Sequence, residues 1–336
     1  MAKIAINGFG RIGRPALKVA LTKANLEVVA INDLTDVETL AHLLKYDSTY
    51  GIYNHKINTA EGKIIVDDKE IKVLAEKDPA QLPWKELGVD IVLECTGIFC
   101  EYDQAALHLQ AGAKKVIISA PAKGEKAIPT FVPGVNADSY DAQNHDIVSC
   151  ASCTTNCLAP VASVLHDNFQ IEKGLMTTIH SYTNDQRLLD LPHKDVRRAR
   201  AAALNIIPTT TGAAKAIGLV IPELDGCLDG MALRVPTAVV SVVDLVCQLT
   251  KETNKEDVDK VFIEAAKSAK YKGILGVSLE QLTSMDYRGN SFSAIVDLPL
   301  TQVIGGRMVK IMAWYDNEWG YTNRLVEMAE LISAKI

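Results

Sequence analysis

The sequence predicts an α/β protein of two domains, the first built on a doubly wound parallel sheet and the second an α+β domain with a mixed, largely antiparallel sheet. Three observations carry that expectation. Strand and helix patterns alternate over residues 3–119, and long strands without helical crossovers recur over residues 174–315. The length of 336 residues also exceeds what one hydrophobic core usually holds.

The opening alternation is specific. Residues 3–7 read as a short apolar strand that runs straight into Gly8-Phe9-Gly10-Arg11-Ile12-Gly13. Ile12, Ala16, Leu17, Ala20 and Leu21 then repeat at helical spacing. In that context the first glycine allows a tight turn, the second lets a pyrophosphate approach the backbone, and the third lets helix pack on strand. Free N–H groups at the helix start would face the phosphates. A second strand over residues 27–31 ends in Asn32-Asp33, and Asp33 lies 20 residues beyond Gly13. A carboxylate there accepts from the adenosine ribose hydroxyls and repels a 2′-phosphate. The pattern predicts a Rossmann-type dinucleotide-binding domain that takes NAD rather than NADP.

The alternation continues with a helix over 37–46, strands over 63–66, 70–74 and 90–96, a helix over 101–111 and a strand over 115–119. Thr96 and Ser119 end strands on the carboxyl edge of the sheet, where ligands bind in such folds.

Composition bounds the function. Charged residues make up 23% of the chain and hydrophobic ones 48%, and the formal net charge of −6 lacks the basic surface of a general nucleic-acid binder. Met1-Ala2-Lys3 leads directly into a strand, and no apolar run reaches the roughly 18 residues of a membrane helix. A cytoplasmic protein with no membrane or nucleic-acid partner is expected. Seven cysteines, an odd number, point to reduced thiols. Cys150, Cys153 and Cys157 could be drawn as ligands, but Cys95, Cys100, Cys227 and Cys247 form no second C-x-x-C pair. No metal site is expected.

At the centre, Ser149-Cys150-Ala151-Ser152-Cys153-Thr154-Thr155-Asn156-Cys157 closes a strand over 146–149 and opens a helix. The apolar positions of that helix are Leu158, Val161, Ala162, Leu165 and Phe169. A cysteine at a helix start faces the positive end of the dipole, which lowers its pKa from a free value of about 8.5. Cys153 is the candidate nucleophile.

Beyond it, strands are expected over 174–181, over 230–250 with a break at Pro236, over 291–297 and over 308–315. Helices are expected over 212–220, over 255–267 and from Tyr321 onward. Leu325, Met328, Ala329 and Ile332 give the last helix an apolar stripe to pack back on the first domain. Domains are therefore expected at 1–151 with 317–336, and at 152–316. The second includes a long loop, 182–208, that carries Arg187, Arg197, Arg198 and Arg200.

A dinucleotide domain followed by a helix-start cysteine suits aldehyde oxidation. The thiolate attacks the carbonyl, and the resulting thiohemiacetal surrenders hydride to nicotinamide. A base is needed to move the thiol and hydroxyl protons. Of the seven histidines His180 is best placed, at a strand end followed by Ser181-Tyr182-Thr183-Asn184-Asp185. A protonated imidazole beside the sulfur would lower the thiol pKa and donate to the oxyanion.

These segments, with Trp314-Tyr315-Asp316-Asn317-Glu318-Trp319-Gly320-Tyr321, resemble phosphorylating glyceraldehyde-3-phosphate dehydrogenase over practically the whole chain. The resemblance implies Cys153 as nucleophile and His180 as base and oxyanion donor. It implies Asn317 as orienter of the nicotinamide carboxamide. Gly8, Gly10, Arg11, Ile12, Gly13, Asp33, Thr96 and Ser119 are then cofactor residues. Thr183 and Arg234 resemble a site for the substrate's phosphate, and Ser152, Thr154, Thr211, Gly212 and Arg198 one for inorganic phosphate.

The implied reaction takes glyceraldehyde 3-phosphate, NAD and phosphate to 1,3-bisphosphoglycerate, in a homotetramer whose 182–208 segment is an S-shaped loop between subunits. Leu34 and Leu191-Pro192 match the NAD-specific branch. Erythrose-4-phosphate and semialdehyde dehydrogenases of related mechanism are the alternatives. Cys150 stands where the family commonly has a polar residue, and it or Cys157 could form a disulfide with oxidised Cys153.

Overall fold

A computed structural model describes residues 1–336. The chain forms two compact units, residues 1–131 with 139–151 and 322–336, and residues 132–138 with 152–321. Residues 132–138 and 317–321 thus group with the second unit, unlike the expected division. The boundary falls within the last helix rather than at its start, because that start is tied down locally. Asp316 accepts from the N–H groups of Gly289, Glu318 and Trp319 at 2.8, 3.0 and 2.8 Å.

The first unit is a sheet in the order β10-β9-β8-β1-β2-β7-β6-β5. Its strands are β1 (Ala2–Asn7), β2 (Leu26–Asn32), β5 (Ile57–Ala60), β6 (Lys63–Val66), β7 (Lys69–Leu74), β8 (Ile91–Glu94), β9 (Lys115–Ile118) and β10 (Ile147–Ser149). From β10 to β7 neighbours are parallel, and β6 and β5 return antiparallel. Parallel strands are covered on both faces, which is why Ile4, Ile6, Leu93 and Ile117 are all fully buried.

The crossover helices are α1 (Gly13–Ala20), α2 (Val37–Lys45) and α4 (Tyr102–Gln110), with a short α3 (Trp84–Leu87). A small hairpin, β3 (Tyr46–Asp47) with β4 (Gly51–Ile52), follows α2. The C-terminal part of α8 (Trp319–Ser333) belongs to this unit. There Glu330 pairs with Lys23 at 2.6 Å, and the Lys335 ammonium beyond it donates to the Tyr140 carbonyl at 2.8 Å.

The second unit is a mixed sheet in the order β12-β13-β11-β14-β18-β16-β15, with β17 also on β18. Its strands are β11 (Ile171–Ser181), β12 (Ile207–Thr210), β13 (Leu228–Val235), β14 (Ser241–Leu249), β15 (Leu275–Ser278), β16 (Ala294–Asp297), β17 (Gln302–Ile304) and β18 (Met308–Tyr315). The sheet is antiparallel except for β11 with β13 and β15 with β16. Packed in this unit are α5 (Cys153–Phe169), α6 (Ile217–Val220) and α7 (Lys255–Lys267).

The expected break at Pro236 is where β13 ends and the chain turns, with Val240 at φ 68°, so that β13 and β14 flank β11 on opposite sides. The helix expected over 212–220 keeps only α6. The Thr211 hydroxyl accepts from the Ala213 N–H at 3.2 Å and turns the chain locally instead.

Candidate active site

The second unit gathers the reactive side chains around the first turn of α5. Ser152 is extended (φ −101°, ψ 163°), and its Oγ accepts from the Thr155 N–H at 3.0 Å, which makes it the cap and Cys153 the first helical residue. Cys153 Sγ lies 3.4 Å from Nε2 of His180, near the end of β11. Nδ1 of the same ring is 2.7 Å from the Ser181 carbonyl.

Strand register supplies the next group. His180 is opposite Arg234 in the parallel β11–β13 pair. Arg234 Nη1 lies 2.5 Å from His180 Nδ1 and donates to the Ser181 carbonyl at 3.0 Å. Its Nε is buried without a hydrogen-bond partner, a donor left over for a ligand.

Electrostatics here run against the expectation from the helix dipole. Burial, reinforced by the Arg234 guanidinium, takes His180 down to about 3. Burial pushes the Cys153 thiol up, against the pull of Arg234 and of the Thr154 N–H and hydroxyl. Desolvation disfavours both charged forms, and one helix terminus does not reverse it. At 3.4 Å the Cys153 sulfur and His180 Nε2 are within reach of a proton transfer.

Around the pair lies a polar rim. Asp185 joins Thr183 and Arg198, taking the Thr183 hydroxyl on Oδ1 and the Arg198 Nη1 on Oδ2 at 2.5 Å. Arg198 also donates through Nε to Thr209 Oγ1 at 2.9 Å and through Nη2 to the Thr210 carbonyl at 3.4 Å. Thr211 and Gly212 come next along the chain. A side chain at Gly212 would meet nothing within 4 Å, so the backbone there is open to an occupant.

Three contributors were not legible as site residues. Tyr315, 1% exposed, bridges the Thr154 and Thr178 hydroxyls at 2.9 and 2.8 Å. Ser241 accepts from the Ser181 N–H and donates to Asn317 Oδ1, both at 3.1 Å, which orients the Asn317 amide. Asp185 is the third. The Tyr315 signal was present, since it ends an alternating strand inside the tryptophan-flanked motif.

Cys150 and Cys157 are the thiols expected to be able to pair with oxidised Cys153. Both are fully buried, burial pushes Cys150 up to about 12 and Cys157 well above its ordinary value, and Cys157 Sγ donates to the Ala313 carbonyl at 3.7 Å.

In the first unit four of the expected cofactor residues, Gly8, Gly10, Asp33 and Thr96, line a cavity of about 560 Å³ at the carboxyl ends of β1, β2 and β8, together with Leu34 and Phe99, and Arg11, Ile12, Gly13 and Ser119 lie outside that lining. Gly8 has φ +91°, and a Cβ there would lie 2.7 Å from the Thr96 nitrogen. A Cβ on Gly13 would lie 2.0 Å from the Gly8 carbonyl oxygen, so α1 can approach β1 only with glycine at that position. Gly10 faces open space, as close approach of a pyrophosphate requires.

Asp33 accepts from the Phe9 N–H at 2.8 Å and from the Thr35 N–H at 3.0 Å, one on each oxygen, which leaves lone pairs for ribose hydroxyls. The Arg11 guanidinium is tied to Asp47 at 2.7 Å, fixing the loop whose Ile12 enters α1. The Ser119 N–H is spent on the Glu94 carbonyl at 2.9 Å, leaving its hydroxyl at the strand end. The residues present fit a dinucleotide.

A dinucleotide-binding sheet, with a cysteine–histidine pair at a helix start in the second unit, is the arrangement of an NAD-dependent oxidoreductase. Residues 2–102 match the NAD-binding domain of glyceraldehyde 3-phosphate dehydrogenase and residues 152–317 match its C-terminal domain. The chain belongs to the glyceraldehyde-3-phosphate dehydrogenase family. It is 58% identical over 335 residues to glyceraldehyde-3-phosphate dehydrogenase 1 of Bacillus cereus, covering 100% of this chain and 99% of that one. It is 58% identical over 333 residues to glyceraldehyde-3-phosphate dehydrogenase of Geobacillus stearothermophilus, covering 99% and 98%. To the Streptomyces coelicolor enzyme of the same name it is 54% identical over 335 residues, covering 99% of each.

Proposed function

We propose that the protein oxidises D-glyceraldehyde 3-phosphate with NAD and inorganic phosphate to 1,3-bisphosphoglycerate, with Cys153 as nucleophile and His180 as base. The observation that carries this is the 3.4 Å approach of Cys153 Sγ to His180 Nε2 at the start of α5. Cys153 adds to the aldehyde carbon while His180 takes the thiol proton and returns it to the developing oxyanion, giving a thiohemiacetal. NAD, when bound, supplies the acceptor for the hydride that leaves this carbon. His180 removes the hydroxyl proton as the thioester forms. A phosphate oxygen then attacks the thioester carbon, the sulfur leaves with the bonding electrons, and the acyl phosphate departs.

Arg234, with its unpartnered Nε, and Thr183 suit the substrate's phosphate. Arg198, Thr211, Gly212, Ser152 and Thr154 suit the attacking one. The Asp33 carboxylate and the exposed Leu34 beside it favour NAD over NADP. The chain works as a homotetramer in the cytoplasm. Leu188 and Leu204 in the 182–208 loop are each 79% exposed, apolar surface that a partner subunit would cover. Light scattering that gives a monomer at micromolar concentration contradicts the tetramer.

The reaction is tested by following NADH from glyceraldehyde 3-phosphate with and without phosphate. Sustained turnover is expected only with phosphate or arsenate. Turnover independent of either refutes the phosphorylating reading.

A further inference from the structure

Hydrogen-bonded to Asn7 and Thr96, which line the cofactor cavity, is a carboxylate that the reaction does not use. Glu94 ends β8 and is 1% exposed. Its Oε1 accepts from the Thr96 N–H at 2.7 Å and from the Thr96 hydroxyl. Its Oε2 accepts from Asn7 Nδ2 at 2.6 Å and from His108 Nε2 at 3.1 Å.

His108, fully buried on α4, has its tautomer set from the far side. The Trp84 indole N–H donates to Nδ1 at 3.0 Å, so the ring proton is on Nε2 and points at Glu94. Asn7 is fixed in the same way, its Oδ1 accepting from Asn32 Nδ2 at 2.7 Å. Asn32 in turn clamps the Glu76 backbone, donating to its carbonyl at 2.9 Å and accepting from its N–H at 2.8 Å. These side-chain bonds converge on Glu94, whose partners are donors without exception.

A buried carboxylate facing only neutral donors is costly, and an apolar residue would serve core stability better. What the charge accomplishes is orientation. Asn7, Asn32, Glu76 and Thr96 all line the cavity, and they come from separate strand ends and from the segment after β7. One anion dictates which way each amide faces.

We propose that Glu94 is a positioning residue for the cofactor, holding the polar floor of the cavity in the orientation that receives NAD. The inference rests on the NAD reading of that cavity. In Glu94→Gln the new amide N–H₂ meets the Asn7 N–H₂ and the His108 N–H, donor against donor. The Asn7 amide must turn, and Asn32 follows.

The test is calorimetric titration of the tetrameric enzyme with NAD, without substrate, alongside steady-state kinetics. Glu94→Gln should raise the Kd for NAD on the order of tenfold, the effect of one buried donor left unpaired. KM for NAD should rise in step, with kcat at saturating NAD retained. The combined variant Asn7→Asp with Glu94→Gln gives the new amide an acceptor again and should bind NAD more tightly than Glu94→Gln alone. Trp84→Phe, which removes the donor that sets the His108 tautomer, should weaken NAD in the same direction by less, and it reads out the network if Glu94→Gln does not fold. Unchanged NAD affinity in Glu94→Gln, equal losses in kcat and affinity, or no gain in the combined variant overturns the proposal. Failure of the parent enzyme to bind NAD overturns the cofactor reading itself.

Discussion

Removing one oxygen atom from Tyr315 tests how the reactive turn is anchored. The Tyr315 hydroxyl is buried at the end of β18, hydrogen-bonded to Thr154 on α5 at 2.9 Å and to Thr178 on β11 at 2.8 Å. Tyr315→Phe keeps the ring and removes both bonds. Each bond is worth about 1 kcal/mol net, and each threonine hydroxyl, 4% and 1% exposed, is left without that partner.

The expected loss is about 2–4 kcal/mol for the second unit, read from denaturant midpoints at unchanged slope. Because Thr154 follows Cys153 directly, KM for phosphate should also rise while NAD affinity holds. Adding Thr154→Val to Tyr315→Phe should cost little more, since the partners are already apart. A Tyr315→Phe protein as stable as the parent, or losses that simply add, would refute the bridge as an anchor.

Two further outcomes follow from the same geometry. His180→Gln should lower kcat by roughly 10²–10⁴, the usual contribution of a positioned base, with the unfolding midpoint close to the parent's; a loss below tenfold would remove His180 from that role. Burial works to raise the Asp47 carboxyl, but the Thr49 and Tyr50 N–H groups and the Arg11 guanidinium overcome it and hold the group below its ordinary 3.8. Its contribution is thus present above pH 3.8 and fades as pH falls through the lower folded value. The Tm gap between parent and Asp47→Asn should be open at pH 7 and close in acid, and a pH-independent gap would contradict the sign.

What the sequence made legible was local in the chain. The glycine motif, Asp33 and the Ser152 cap are readable because spacing along the chain is their geometry, and both fold classes follow from periodicity. The approach of Arg234 to His180 depends on β11–β13 register, with the residues separated by 54 positions, and no pattern within either strand reports it. Tyr315 and Ser241 matter through what they bridge. The upward push on the Cys153 thiol comes from burial, which belongs to the folded unit, whereas the helix start can be read from the chain. Glu94 ends a strand that periodicity reveals, yet its donors, Asn7, Thr96 and His108, come from three segments.

The central claim is that Cys153 carries the acyl group. Mixing the enzyme with NAD and glyceraldehyde 3-phosphate, without phosphate, should release about one equivalent of NADH per subunit. Mass spectrometry should then find a phosphoglyceroyl adduct on the peptide bearing Cys153, discharged when phosphate is added. Cys153→Ser should give neither burst nor adduct. An adduct on another residue, or a full burst from Cys153→Ser, would contradict the account.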